Sequence, residues 1–215
     1  MLYYIIFIVF LIIILLLANT RSPFWKYQPV YHLYNPINIF HWNPFIVNKD
    51  PIEKNKYFNK DISCIDSSKL TNYEKIFITN LIQNHFLKEK DIHFKPSTEE
   101  LFSSFQSHNK KSFISLFYDN EKIVDEQKQH YSEDKKLVGV ISSRPIHIDF
   151  FKKYKGSIKV YYVDHLCVHD KYRNQKIAPQ LIQTHERLRR EIIPTYRISL
   201  FRRDVSLSNI MPFTS

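Results

Sequence analysis

A short basic turn between an apolar run and an amphipathic segment contains the residues of this chain best suited to chemistry. It lies within residues 165–182. A helix that begins directly after such a turn offers backbone N–H groups without intrahelical partners, together with a partial positive charge. Basic side chains add to both, so the layout predicts a site for the phosphates of a nucleotide cofactor.

Two sets of groups around this turn are candidate ligand contacts. Arg173, Lys176 and the backbone N–H groups of about residues 174–178 suit a pyrophosphate. The backbone N–H groups near His165 and Leu166 suit a thioester carbonyl that develops negative charge, provided that the strand bulges there. An ordinary turn with solvated lysine and arginine side chains is the alternative for these residues taken alone.

Composition limits the classes of partner. The chain has 215 residues, 44% of them hydrophobic, which is enough for one domain with an extension. A net charge of +10 calls for a polyanion, an anionic membrane surface or a phosphorylated ligand. Cys64 and Cys167 form neither a metal-binding pattern nor a disulfide framework, so we expect no metal. Gly139 and Gly156 are the only glycines, which excludes Gly-rich phosphate loops.

The N-terminus is strongly apolar. Residues 2–18 form an unbroken run of 17 apolar residues, about 26 Å long as a helix and near the lower limit for crossing a bilayer. Only Met1 precedes the run, which disfavours the alternative of a cleaved signal peptide. We therefore expect one transmembrane helix, an anchor over residues 1–20. Arg21 and Lys26 follow it, so the positive-inside rule predicts a single-pass membrane protein whose C-terminal domain faces the cytosol.

The first half of the chain predicts an arm followed by two helices. Residues 21–60 are rich in proline, asparagine and aromatic residues without a sustained period, which predicts an extended arm. Ser97 and Glu100 resemble a capping box that opens a short helix. Residues 72–87 predict a helix whose apolar side chains lie broadly on one side: Tyr73, Ile76, Phe77, Leu81 and Phe86.

The second half predicts strands and one long helix. The predicted strands are 113–118, 137–142, 158–168 and 197–201, with a polar hairpin or loop between the first two and a helix over 178–192. This order predicts an α/β (α+β) fold with a mixed sheet flanked by helices. The basic turn then lies at the carboxyl end of a central strand, where open sheets usually bind their ligands.

Four segments resemble N-myristoyltransferases, which belong to the wider GCN5-related N-acetyltransferase fold. The run from Leu166 through Arg173 to Ile182 looks like the family's acyl-CoA-binding segment, which also has no glycine in its pyrophosphate loop. Residues 24–30 resemble the N-terminal arm that packs on the CoA, 61–105 the first helical region, and 136–142 a Lys-Leu-Val-Gly-Phe-Ile-Ser strand. The resemblance covers residues 24–215 and implies an acyl-CoA-binding, acyltransferase-like domain over residues 61–215.

This resemblance implies a function and a set of site residues. The function is transfer of the acyl group of myristoyl-CoA, or of another long-chain acyl-CoA, to the N-terminal glycine of a protein or peptide. The backbone amides of His165 and Leu166 match the oxyanion-hole positions, although the family has phenylalanine where His165 stands. Cys167 would then line the ligand and not act as a nucleophile. The positions that match the family's CoA contacts are Phe24, Trp25, Cys167, Val168, Arg173, Asn174, Lys176, Ile177 and Ala178.

One departure from the family concerns catalysis. The family has a second, similarly folded half, whose C-terminal carboxylate deprotonates the glycine of the peptide. This chain ends at Ser215, about where the first half is still finishing. We therefore expect a domain that is incomplete at its C-terminus, with a separate C-terminal half as a further partner.

Two other functions remain open. One is a membrane-tethered acyl-CoA-binding module without catalysis. The other is a basic nucleic-acid-binding protein, although no aromatic residues for base stacking are interleaved with its arginines, which favours a solvated helix face. The arginines in question are Arg187, Arg189, Arg190, Arg197, Arg202 and Arg203.

Overall fold

A computed structural model describes residues 2–20, 24, 25, 28, 52–86, 94–106, 108–125, 130–150 and 156–201. The chain divides into two units, Met1–Asn55 with Arg203–Ser215, and Lys56–Arg202. The helices are α1 (Leu2–Thr20), α2 (Asn72–His85), α3 (Thr98–Gln106) and α4 (Ile177–Ile192). The strands are β1 (Ser63–Asp66), β2 (Phe113–Asp125), β3 (His130–Phe150), β4 (Gly156–Val168) and β5 (Ile198–Phe201).

The first unit contains α1, a helix of 19 residues whose side chains from Tyr3 to Ile14 are exposed. Among the residues that the structure describes, no helix combines the length and apolarity that a membrane crossing requires. The expected transmembrane anchor and the single-pass membrane localisation are therefore wrong. The physical reason lies in length, because the apolar run of about 26 Å falls short of a hydrocarbon core of roughly 30 Å.

The second unit is built on a five-stranded sheet in the order β1-β2-β3-β4-β5. Pairing is antiparallel from β1 to β4, and β4 and β5 are parallel. The predicted mixed sheet is confirmed. The two strands expected at 113–118 and 137–142 are longer than predicted, since β2 and β3 pair as far as Asp125 opposite His130.

Helices cover both faces of this sheet. Successive side chains of a strand point to opposite faces of the sheet. In β3, Val140 packs with α2 and α3, whereas its neighbour Ile141 packs with α4. The cluster beneath α2 and α3 includes Leu81 and Phe102. The cluster beneath α4 includes Leu181. The layers therefore place α4, and the turn before it, on the opposite face from α2 and α3.

The two capping boxes fix where α2 and α3 begin. In α2 the Thr71 hydroxyl accepts from the Glu74 N–H, and the Glu74 carboxylate accepts from the Thr71 N–H. Ser97 and Glu100 form the same reciprocal pair before α3, as the sequence predicts. Local side-chain chemistry therefore determines the N-termini of both helices.

The buried face of α2 differs from the predicted one. Its buried side chains are Ile78, Thr79, Leu81 and Ile82. Tyr73, Ile76 and Phe77 of the predicted apolar face are exposed, with 78%, 48% and 54% of their surface accessible. The helix has apolar residues on more than one side, so its sequence period does not by itself select the face that packs on the sheet.

Gly139 of β3 allows α4 to lie close to the sheet. A Cβ at this position would lie 2.9 Å from Leu181 Cδ1 and 3.2 Å from Ile177 Cγ2. Both of these side chains are buried. The first turn of α4 can therefore approach β3 only because residue 139 has no side chain.

We expect Gly139→Ala to lower the free energy of unfolding by about 1–3 kcal/mol, because the added methyl group overpacks the contact with α4. Chemical denaturation measures the change. Gly156→Ala is the matched control, since a Cβ there has no heavy atom within 4 Å. Equal stability of the two variants would contradict the close approach.

Candidate functional site

The carboxyl end of β4 contains a β-bulge. Ile141 of β3 lies opposite Leu166, whereas Ser143 lies opposite Val163. One residue of β3, Ser142, therefore faces two residues of β4. The bulge lies beside His165 and Leu166. The backbone N–H groups of these residues can reach a ligand only if the strand is interrupted there.

The bulge also resets the direction of the side chains. Val163 and Leu166 are three positions apart, and a regular strand would send them to opposite faces. In this structure both pack in the cluster under α4. His165 and Cys167 consequently face the side of α2 and α3.

The backbone N–H of His165 leaves the regular ladder at this point. It donates to the Ser142 hydroxyl, with 3.2 Å between nitrogen and oxygen. The same hydroxyl lies 3.1 Å from Nδ1 of the His165 ring. One of the two predicted oxyanion donors is thus bonded to a side-chain oxygen and not to a strand carbonyl.

The His165 ring lines an open groove of about 450 Å³ on the face of α3. Three aromatic rings surround it, with centroids 5.5–6.4 Å away, and Phe94 is the one stacked on it. Burial, aided by the positive charge of Arg144, lowers the pKa of His165 to about 4. The imidazole is therefore neutral near pH 7. The remaining groove residues are Lys95, Pro96, Glu100, Leu101 and Ser104.

Cys167 lies in the core between β4 and α2. Only 2% of its surface is exposed, and its thiol donates to the carbonyl of Leu81, 3.7 Å away. Burial raises the pKa of the thiol to about 12. A thiol with such a pKa is not ionised near neutrality, which opposes a covalent role. Its place along a thioester path stays a prediction, as does that of Val168, which packs under α4.

The paired part of β4 and β5 ends before the bulge. In the residues that the structure describes, the parallel ladder runs from Val160 opposite Ile198 to Val163 opposite Phe201. The five residues 164–168 extend beyond it. The N–H groups of His165 and Leu166, the predicted donors to the thioester oxygen, therefore lie just past the last described pair of β4 and β5.

The turn after β4 carries Arg173 next to the end of α2. A short 3₁₀ helix, Asp170–Tyr172, leads into it, and the His169 ring caps that helix by accepting from the Lys171 N–H. Arg173 Nη2 lies 2.7 Å from Asp170 Oδ1 and donates to the backbone carbonyl of His85 at 2.7 Å. The predicted phosphate-binding guanidinium is therefore engaged by one ion pair and one hydrogen bond in this structure.

Two residues of the turn take the left-handed backbone conformation without being glycine. Asn174 has φ of 65° and Lys176 has φ of 62°. Asparagine tolerates this region, whereas for lysine it is uncommon and costs about 1–3 kcal/mol. Non-glycine residues in this conformation cluster at ligand clamps. The glycine-free sequence thus forms a sharp turn of the kind that glycine usually supplies.

Helix α4 begins directly after this turn. Lys176 is its N-cap and makes no capping hydrogen bond through its side chain. The Gln180 N–H donates to the Lys176 carbonyl, which closes the first helical turn. Of the predicted contacts, Ile177 is buried against β3 and Ala178 is half-buried. The first backbone N–H groups of α4 are therefore the part of this segment suited to an anion.

Two arginines of α4, Arg189 and Arg190, belong to a buried ion network. Arg189 has none of its surface exposed, and it contacts the Glu186 carboxylate at 2.6 Å. Arg189 also donates to the Tyr196 carbonyl at 2.8 Å, and Arg190 pairs with the same carboxylate. Arg187 pairs with Glu191. These four arginine contacts oppose the nucleic-acid alternative, since Arg187, Arg189 and Arg190 are not a solvated basic face.

His185 joins α4 to the sheet beside this network. Its Nδ1 lies 2.8 Å from the Ser115 hydroxyl and its Nε2 lies 2.7 Å from the Ser143 hydroxyl. Burial and the charge of Arg189 lower the pKa of His185 to about 3. The neutral ring therefore links α4 to β2 and β3, next to the bulge.

The predicted aromatic cover lies in the other unit. Phe24 and Trp25 contact each other edge-to-face with ring centroids 4.9 Å apart, and Phe24 is buried. Their place over a ligand stays a prediction. Arg202 and Arg203 lie outside the described residues.

Sequence reasoning missed several residues that shape the site. Ser142 lies within the 136–142 segment and Asp170 within the turn, and the sequence pattern indicates no role for either. Asp164 pairs with Arg144 at 2.9 Å next to the bulge. Only the long-range register brings Ser142 opposite His165, so no local pattern signals it.

The sequence model of the family described as "Myristoyl-CoA:protein N-myristoyltransferase, N-terminal domain" matches residues 45–193. This match includes the bulge, the turn and α4. The chain belongs to this family. No curated protein matches the sequence.

Two solved structures of Saccharomyces cerevisiae N-myristoyltransferase, both with bound myristoyl-CoA, share the fold. Their TM-scores are 0.54 and 0.53, each with 18% sequence identity and with 87% of this chain covered. The chain spans 42% and 39% of the length of the two yeast chains. The predicted family resemblance is thus confirmed, and the two yeast structures share the fold of this chain.

The low pKa of His185 predicts a loss of stability in acid. The folded pKa of about 3 lies below the unfolded value of 6.5, so the unfolded chain binds more protons between these values. The free energy of unfolding is therefore expected to fall with pH from 6.5 downwards, by up to about 1.4 kcal/mol per pH unit for this group. His165 adds a loss of the same sign down to about pH 4.

Urea denaturation between pH 7 and 4.5 measures this slope in the wild type and in His185→Gln. In this variant the slope of the unfolding free energy against pH is expected to be smaller by up to about 1.4 kcal/mol per pH unit. Ser143→Ala is the matched control, because it removes one hydrogen bond of His185 and keeps the buried ring. It should be less stable at every pH with the slope retained, and an unchanged slope in His185→Gln would refute the assignment.

Proposed function

We propose that this chain binds a long-chain acyl-CoA, such as myristoyl-CoA, and acts in transfer of the acyl group to the N-terminal glycine of a protein. Membership of the N-myristoyltransferase family supports the proposal. The observation that carries it is the glycine-free turn, in which Asn174 and Lys176 adopt positive φ directly before α4. The yeast relatives of the same fold were solved with myristoyl-CoA bound.

The pyrophosphate is assigned to the turn and to the start of α4. Backbone N–H groups of a turn with left-handed residues can converge on one anion. The helix N-terminus adds its partial positive charge. Arg173 and Lys176 supply full charges, and Asn174, Ile177 and Ala178 supply backbone N–H groups. Phe24 and Trp25 are proposed to cover the CoA.

The thioester is assigned to the bulge of β4. The amine attacks the thioester carbonyl carbon, the carbonyl oxygen becomes negative, and the carbon–sulfur bond then breaks to release CoA and the amide. The N–H groups of His165 and Leu166 are proposed to stabilise that oxygen, where loss of one donor costs about 3–4 kcal/mol. For His165 the ligand oxygen must replace Ser142 as the acceptor.

A second candidate function is acyl-CoA binding without transfer. The contact between the His165 N–H and the Ser142 hydroxyl favours it, because that donor is already occupied. The amine must also lose a proton, and the base for that step is proposed to come from a separate C-terminal half. Binding and transfer are therefore tested separately.

We expect the purified full chain to bind myristoyl-CoA saturably in isothermal titration calorimetry. Arg173→Ala and Lys176→Ala should each weaken binding about tenfold, since each removes a charge-assisted contact to phosphate. Lys171→Ala is the matched control, because it removes an equal charge from the same turn outside the predicted set. An absence of binding, or equal weakening by all three variants, would count against the site.

Acyl transfer to a synthetic peptide that begins with glycine separates the two candidates. Mass spectrometry should detect the amide product if the chain is catalytically complete. Saturable binding without product would show that this chain by itself binds acyl-CoA and does not transfer the acyl group. A peptide with an acetylated N-terminus is the control, since it has no free amine to accept the acyl group.

A further inference from the structure

The turn before α4 places a carboxylate beside the arginine that the proposed function assigns to the pyrophosphate. Arg173 Nη2 lies 2.7 Å from Asp170 Oδ1. The same nitrogen donates to the backbone carbonyl of His85 at 2.7 Å. The guanidinium therefore rests between the turn and the last residue of α2.

Asp170 is itself held from the side of α2. Its Oδ2 lies 3.1 Å from Nδ1 of His85, and its backbone N–H lies 3.4 Å from the same nitrogen. The His169 ring lies against His85, with 4.0 Å between centroids. These contacts keep the carboxylate next to Arg173.

We propose that Asp170 is an internal counter-anion, which occupies Arg173 until the phosphates of the acyl-CoA replace it. The inference rests on the proposed function and concerns the same site. Phosphate oxygens bind a guanidinium through charge-assisted and often bidentate contacts, whereas exposed ion pairs to one carboxylate are weak. The Arg173 side chain is 51% exposed, so a ligand can reach its guanidinium.

The exchange has a consequence for specificity. A ligand that carries the pyrophosphate gains the Arg173 contact and so offsets the lost ion pair. An acyl-pantetheine, which has the thioester and no phosphate, gains nothing from that exchange. Arg173 thus selects for the phosphorylated form of the acyl donor, and Asp170 lowers the affinity for that form without affecting an acyl-pantetheine.

Titration calorimetry of the full chain with myristoyl-CoA tests the exchange as a double-mutant cycle. D170N is expected to lower the Kd about two- to fivefold, because the ligand no longer displaces an ion pair. In the R173A background the same substitution should leave the Kd unchanged, since no guanidinium is there to be released. E191Q is the matched control, because it removes the carboxylate partner of Arg187 on α4 and should leave the Kd unchanged.

The possible outcomes distinguish failure of the Asp170 exchange from failure of the proposed pyrophosphate site. Equal tightening by D170N in both backgrounds would overturn the inference, because Asp170 would then act only by general charge repulsion. Weaker binding by D170N would also overturn it, since the carboxylate would then orient Arg173 for the ligand. If R173A itself does not weaken binding, the proposed function of the turn fails instead. D170E, which keeps the charge and should keep the wild-type Kd, serves as the second variant, and thermal unfolding checks that each variant is folded.

Discussion

The extra residue in β4 opposite Ser142 is the constraint on which the arrangement of the site depends. Because side chains alternate between the two faces of a sheet, one inserted residue moves every later side chain of the strand to the opposite face. Leu166 therefore packs under α4, and Cys167 packs under α2. The same insertion takes the His165 N–H out of the ladder and gives it to the Ser142 hydroxyl. The bulge thus determines both how the side chains of β4 pack and where a candidate ligand donor lies.

Helix α4 is fixed at its two ends by different forces. Its first turn is close to the sheet because Gly139 leaves room for Ile177 and Leu181. Its second half carries buried polar groups, of which Glu186 holds a carboxylate with a pKa lowered to about 2, through the charges of Arg189 and Arg190 that outweigh burial. Removing one partner of such a network leaves an unpaired buried charge, so the network specifies one position for the helix. That position in turn sets where the N-terminus of α4 points.

The distribution of charge follows from this packing. The chain has a net charge of +10, which by itself indicates only an anionic partner. The structure draws Arg189 and Arg190 into the interior and leaves Lys171 and Lys176 exposed on the turn. Exposed positive charge thus lies beside the backbone N–H groups of the turn. Charge counted from the sequence could not make that distinction, since burial depends on contacts between distant residues.

The sequence by itself determined the elements and the family. Strand 158–168, helix 178–192 and the Ser97–Glu100 cap follow from short-range periodicity and local hydrogen bonding, which a linear sequence contains directly. The tertiary structure decided the position of the bulge, the buried face of α2, the left-handed turn at Asn174 and Lys176, and the burial of the α4 arginines. These depend on register, on packing partners and on solvent exclusion between segments far apart in the chain, for example Ser142 and His165. The apolar N-terminal run also predicted a membrane span that the structure does not support, because apolarity was given more weight than the short length of the run.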